Sequence, residues 1–454
     1  MKRKFISLTL AAVMALSLAA CGGSSSNTDT TTQAASSAAT QAESGASEAA
    51  SEAATKPAAP AGDVTITIFN SKSEIQDKFV ELADEYTEAT GVKVEVYYSS
   101  DTVSAHMATK YAANDPYTIS MVDAKDVYSL GTEHALDLSD QDWVKNTNYA
   151  ISVDGQVKGF PVCIEARGVM YNASAIEAIT GEEFKPEAYA KLDDFTALLD
   201  KLVAGGMAAP VGIMKEDWSL AAHYFQEIYE EQEDPEAFVQ SLYAGTADLA
   251  NNQKFKDMMD TFDVLMKYNY AAGQPVAAER EVSEQKLAEG EIAFMFGGNW
   301  DWSLIKDFDP SEKMGMMPVP QNTTDGSNEK LVGGGSKYFF IDSSANTSAE
   351  QVQAAKDFLN WLVFDEEGNK FLTEECALVP AFSNINADAL DPLSLSVKTF
   401  ADANKLIDNY NYDPDDHYSI VGASMQKYLA GQIDRAGLAS EVEKYWSNTT
   451  PVEH

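Results

Sequence analysis

The chain has 454 residues, 45% of them hydrophobic, with 71 acidic against 32 basic side chains and a formal charge of −39. Charge of that sign and size repels nucleic acid and anionic ligands at long range and favours a neutral or cationic partner. The five histidines (His106, His134, His223, His417 and His454) are scattered without metal-ligand spacing, so neither a metal nor another cofactor is expected.

Residues 1–20 read as a leader: Lys2, Arg3 and Lys4, then an apolar run from Phe5 to Leu18 that is too short and too quickly broken to span a membrane. Leu18-Ala19-Ala20-Cys21 follows, with small residues before a cysteine. This order resembles the lipobox of bacterial lipoproteins, which implies cleavage before Cys21, its lipidation, and tethering to the outer face of the cell membrane. Residues 21–62 are almost entirely Ser, Thr, Ala, Gly, Gln and Glu. Such a segment cannot bury a core, and as a coil it spans roughly 35 Å, a leash for the body that follows. No later segment is apolar enough to cross a membrane.

The body from Asp63 onward is too long for one ordinary core, which predicts two lobes. Val64-Thr65-Ile66-Thr67-Ile68 alternates as a strand does. A helix then places Ile75, Phe79, Leu82 and Tyr86 on one face, and Gly91 stops it. Val92 to Val96 alternates again, and strand, helix, strand at this spacing predicts a parallel sheet covered by helices. Further on, Asp193 or Asp194 is expected to cap a helix burying Phe195, Leu198, Leu199 and Leu202, ended by Gly205-Gly206. Glu291–Phe296 and Tyr338–Ile341 read as strands, and Thr347 with Glu350 as a capping box before Val352, Ala355, Leu359 and Leu362. There is no internal repeat. Cys163 and Cys376 remain beside Cys21; an exported protein permits their pairing, but a sequence gives no distance between them. The fold class is α/β with two hinged lobes, and the cleft between them is the default ligand site.

Four stretches carry a wider resemblance. Gly159 to Asn172 holds a proline, an acid four positions on, and apolar residues ending in Tyr-Asn; Ala293 to Trp302 runs strand, Gly-Gly, Asn-Trp. Leu331–Ile341 sets three glycines before a strand, and Val379-Pro380-Ala381 follows later. In this order they resemble the maltose-binding-type, carbohydrate-capturing extracellular solute-binding proteins (family 1) of ATP-driven importers, over essentially the whole body. The resemblance implies a type II periplasmic-binding-protein fold with three crossovers. Lobe 1 would take 63–165 plus 335–376, and lobe 2 166–334 plus 377–454. It implies a monomer that is not an enzyme, closes on a carbohydrate, and delivers it to the permease subunits of an ABC transporter.

The resemblance also implies site residues. Glu165 matches the crossover carboxylate, Trp300 the stacking aromatic, Glu216 and Trp218 an acid and an aromatic of the cleft, and Asn70 and Ser71 the polar contacts after the first strand. Arg167 stands where the maltose-binding member is apolar, which implies either a different sugar or an ion pair with Glu165. Read from the residues alone, Asp123 ends an apolar run and sits at a strand's carboxyl end. Gly334 and Gly335, with Gly333, form either a flexible loop or a backbone that a ligand approaches closely. These residue types suit a sugar: an indole covers the ring's apolar face, and carboxylates bind its hydroxyl rim with charge-assisted hydrogen bonds. Trp302 reads as core, and Asp408–His417, with four aspartates but no calcium-loop spacing, as a solvated loop. A polyamine or other solute, or a glycosidase with paired carboxylates, stands as the alternative.

Overall fold

A computed structural model describes residues 64–387 and 390–452, all within one unit, Lys56–His454. The leader, Cys21 and the linker lie outside the described residues.

Ten strands are named in chain order: β1 Thr65–Asn70, β2 Lys93–Tyr98, β3 Ile119–Asp123, β4 Ile151–Val153, β5 Gln156–Asn172, β6 Val211–Gly212, β7 Phe294–Gly298, β8 Met314–Met317, β9 Leu331–Ile341 and β10 Leu406–Ile407. The sheet path is β2-β1-β3-β9-β5-β7-β6, with β10 on β9 and β4 and β8 on β5. β1 runs parallel to β2 and β3, as the βαβ reading requires. The connecting helix Gln76–Thr90 buries Phe79, Leu82, Ala83 and Tyr86 against the sheet. Gly91 ends it with φ +79°, a left-handed conformation that an L side chain rarely adopts.

Two long antiparallel strands join the lobes. β9 pairs through Lys337–Ile341 with β3, and β5 pairs through Arg167–Tyr171 with β7. Between these ends β5 and β9 pair with each other, and Ile164 also bridges Val379 on a third passing segment. A register shift sits at Pro161–Ile164. Proline donates no ladder hydrogen bond, so it belongs at such a bulge, and the bulge re-aims the side chains that follow.

Several local expectations shift by a residue or more. Helix Leu192–Ala204 starts after Lys191, so Asp193 and Asp194 lie in its first turn, favourably placed for the helix dipole, and do not cap it. Ser348 with Gln351, not Thr347 with Glu350, makes the capping box of Ala349–Phe364. The strand expected at Glu291–Phe296 is Phe294–Gly298, because the chain first turns through Gly290 with φ +74°. The three glycines at 333–335 are not a loop before a strand but part of β9. A Cβ at Gly333 would lie 2.4 Å from the Glu165 carbonyl oxygen, so the close β5–β9 approach requires glycine there. Cys163 and Cys376 are free thiols. Cys163 is buried, which pushes its pKa up to about 12. No helix of the described residues is long and apolar enough to cross a membrane.

Candidate functional site

A cleft of about 430 Å³ opens beside the β5–β9 crossing. Its floor is the β5–β9 crossing, where Glu165, Arg167 and Gly335 emerge. Glu165 and Arg167 are two apart on one strand and so share a face, just beyond the bulge. They do not pair with each other. Glu165 Oε1 accepts from Lys72 Nζ at 2.5 Å, and Glu74 takes the same ammonium at 2.7 Å. Burial alone would lower the pKa of Lys72, but Glu165 and Glu74 outweigh it and hold the amine charged. Arg167 reaches the other way: its guanidinium bonds Glu230, lies 3.5 Å from Glu227, and donates to Asn409 Oδ1 (2.9 Å) and to the carbonyl of His223 (3.1 Å). Of the two readings of Arg167, the ion pair with Glu165 is not formed; Glu165 pairs with Lys72 and Arg167 with Glu230.

On the first-lobe side the wall is formed by the carboxyl end of β3 and the start of helix Ala124–His134. Asp123 binds Lys337 at 2.5 Å, its register partner across β3 and β9. Ser71 lines the same side, and its hydroxyl is sealed from solvent without a hydrogen-bond partner. Lys125 reaches across the cleft to Asp415 at 2.9 Å.

The second-lobe wall is aromatic. Trp218 and Trp300 flank His223, with ring centroids at 5.2 and 4.8 Å from the imidazole. His223 lies on a π-helical turn, Ser219–Phe225, a distortion that often marks functional sites. Burial, then Arg167 and Arg280, holds its pKa well below the ordinary value, so the ring is neutral. Trp300 lies over Gly298, where a Cβ would come within 2.2 Å of the indole, and Gly297 similarly makes room for Asp301. The Gly-Gly-Asn-Trp-Asp stretch is thus a packing device that presents one indole.

Ser71, Asp123, Glu165, Arg167, Trp218, Trp300 and Gly335 line the cleft; Asn70, Glu216 and Gly334 do not. Asn70 is fully buried and closes the turn after β1, accepting from the Lys72 amide and donating to the Lys72 carbonyl, each at 2.9 Å. It shapes the loop that carries Lys72. Glu216 stands behind the aromatic wall near Arg280, with Oε2 sealed. Gly334 is the register partner of Glu165, with no atom crowding it. Gly335 serves packing as well, since a Cβ there would lie 2.0 Å from the Tyr338 hydroxyl.

The segment Asp408–His417, expected to be a solvated loop, instead borders the cleft through Asn409, Tyr410, Asn411, Asp413, Asp415 and His417. Asp413 Oδ2 accepts from Gln226, and burial, with Glu230 adding, pushes this carboxyl up to about 8. Lys125, His223, Gln226, Glu230 and Lys337 also escaped the sequence reading. Their only signal was proximity to recognised motifs, because pairings 60 to 290 residues apart leave no local pattern. Trp302 is half-buried against the core, and the described residues hold no His, Cys, Asp and Glu grouping able to bind a metal.

A model of the family described as bacterial extracellular solute-binding protein matches residues 81–396, and the chain belongs to that family. Its fold is the two-lobed α/β architecture of such binding proteins. Among individual relatives, it is 23% identical over 351 residues to the melibiose/raffinose/stachyose-binding protein MelE of Bacillus subtilis (strain 168), spanning 73% of this chain and 78% of that one. Two solved structures share the fold. The binding protein RafE in complex with raffinose superposes with a TM-score of 0.70 at 17% identity, covering 85% of this chain and 99% of that one. A sugar transporter protein from Bacillus licheniformis in complex with stachyose gives 0.63 at 19%, covering 85% and 99%.

Proposed function

We propose that this chain captures a sugar, most fittingly an oligosaccharide such as those its relatives are named for, and hands it to the permease of an ABC importer. The observation that carries the reading is the division of the cleft: two indoles and a neutral imidazole on one wall, ion-paired carboxylates on the floor and the other. Trp218 and Trp300 would cover sugar-ring faces. Lys72 engages only Oε1 of Glu165, which leaves Oε2 for a hydroxyl; the Ser71 hydroxyl and Asp123 would take others. Arg167 would present Asn409 and its own remaining donors. Lobes divided at 63–165 plus 335–376 and 166–334 plus 377–454 would close about β5, β9 and the segment around Val379. A sugar touching both walls binds the closed form better and so shifts the population toward it.

In this reading the protein is a monomer without catalytic residues, held at the outer face of the membrane by lipid on Cys21. A Cys21→Ser variant should appear in the medium; retention at the membrane would refute the anchor. One feature supports a second ligand class. Seven acidic residues line the cleft against Lys125, Arg167 and Lys337, which suits a polyamine. A thermal-shift screen of raffinose, stachyose, melibiose, mannobiose and chitin oligosaccharides against spermidine and putrescine decides between them. A ligand at 100 times its Kd adds about 2.7 kcal/mol to the native state, a readily measured shift. Stabilisation by polyamines and by no sugar would overturn the sugar reading, and so would sugar hydrolysis by the pure protein.

A further inference from the structure

We infer that Arg280, which does not line the cleft, is the positioning residue that locks both indoles of the aromatic wall into one rigid surface. The inference rests on the reading of Trp218 and Trp300 as sugar-facing. Arg280 begins helix Arg280–Ala288, and its side chain is only 16% exposed. Its Cζ lies 4.6 Å from the centroid of the Trp218 ring, a cation–π contact. The same guanidinium hydrogen-bonds Asp301, the residue after Trp300. The other Asp301 oxygen accepts from the Gly298 amide at 3.3 Å, and Gly298 is the residue on which the Trp300 ring lies. A third arm, Nε to Glu284 at 2.9 Å within the same helix, anchors the fork to its own backbone.

One planar group therefore ties the Trp218 indole, at the entry to the π-helical turn, to the Trp300 indole on the short turn Asn299–Asp301 after β7. The two belong to segments some 80 residues apart and have no direct ring contact of their own; His223 sits between them on the cleft side. Lysine would keep a charge over Trp218 but not the fork that reaches Asp301 and Glu284 together. Fixing both faces before a sugar arrives lowers the ordering cost of binding, so the effect of Arg280 on affinity is indirect and passes through the two indoles.

The test needs no sugar. Full-length protein labelled with 5-fluorotryptophan gives six fluorine signals, one for each tryptophan, with Trp218 and Trp300 assigned from Trp218→Phe and Trp300→Phe variants. In Arg280→Gln the Trp218 and Trp300 signals should both shift or broaden, while those of the buried Trp143 and Trp446 stay. In Arg280→Lys the Trp218 signal should return toward its original position and the Trp300 signal should not. A change at only one of the two indoles in Arg280→Gln, a change at neither, or movement of all six signals in both variants overturns the inference. Failure of the sugar reading shows elsewhere, as unchanged binding by Trp218→Ala and Trp300→Ala in the sugar screen, so the two failures are distinguishable.

Discussion

The two walls of the cleft differ in kind. The aromatic side chains that line it are Trp218, His223, Trp300, Tyr410, His417 and Tyr418, while the β3 end offers Asp123, Lys125 and Lys337. The ion pairs differ too. Arg167 and its partner Glu230 are 7% and 0% exposed and Lys72 and Glu165 4% and 11%, whereas Lys337 and Asp123 are 17% and 42% exposed. A dry pair holds its geometry without solvent's help and fails badly when halved; a wet pair is weak and adaptable. The buried Arg167–Glu230 and Lys72–Glu165 pairs are thus built to hold a fixed geometry, and the Asp123–Lys337 pair at the β3 end is the one that can trade an ion pair for hydroxyl groups.

The largest expected effect tests that contrast directly. Arg167→Ala leaves Glu230 and Glu227 buried without their cation and should cost about 3–5 kcal/mol of folding stability in urea titrations. Lys337→Ala should cost no more than about 1 kcal/mol. Equal losses would erase the distinction between the walls. Next in size, Trp300→Ala should weaken binding of the sugar that the screen identifies by about 1–3 kcal/mol in calorimetry, the usual worth of an aromatic stacking on a ring ligand.

A pH dependence follows from carboxyls that burial keeps protonated on both walls and behind them. Burial raises Asp126 to about 7, with Asp123 adding; Asp413 to about 8, with Glu230 adding; and Glu284 to about 8, with Asp301 adding. In the unfolded chain such groups titrate near 4, so between pH 6.5 and 8 unfolding releases their protons. Stability must then fall as pH rises through that window, by up to about 1.4 kcal/mol per unit for each proton still bound and so roughly 2–3 kcal/mol per unit for the three together, and the melting temperature should be higher at pH 6.5 than at pH 8.5. Below pH 6.5 the depressed His417 and His223 act in the opposite sense, because the unfolded chain takes up protons that the folded one refuses. A melting temperature that rises between pH 6.5 and 8.5 would contradict the assignment. The smallest effect belongs to the link across the mouth. Asp415 is 63% exposed, so Asp415→Asn should speed sugar release in stopped-flow by less than about tenfold, and added salt should mimic it.

Local chemistry determined much of this protein from its sequence alone. Alternation and 3.6-residue spacing are properties of a few neighbouring residues, which is why β1, helix Gln76–Thr90 and β2 were legible, together with Gly91 at the helix end. The resemblance likewise pointed to Glu165, Trp218 and Trp300, which line the cleft. Tertiary structure alone decided the partners. Which acid takes Lys72, why Arg167 turns to Glu230 and away from Glu165, and how Asp408–His417 comes to border the cleft all depend on contacts between segments distant in the chain. Asn70 shows the limit most plainly. It sits where a ligand contact was expected, but its amide is satisfied by its own turn, and only the folded backbone reveals which way a side chain points.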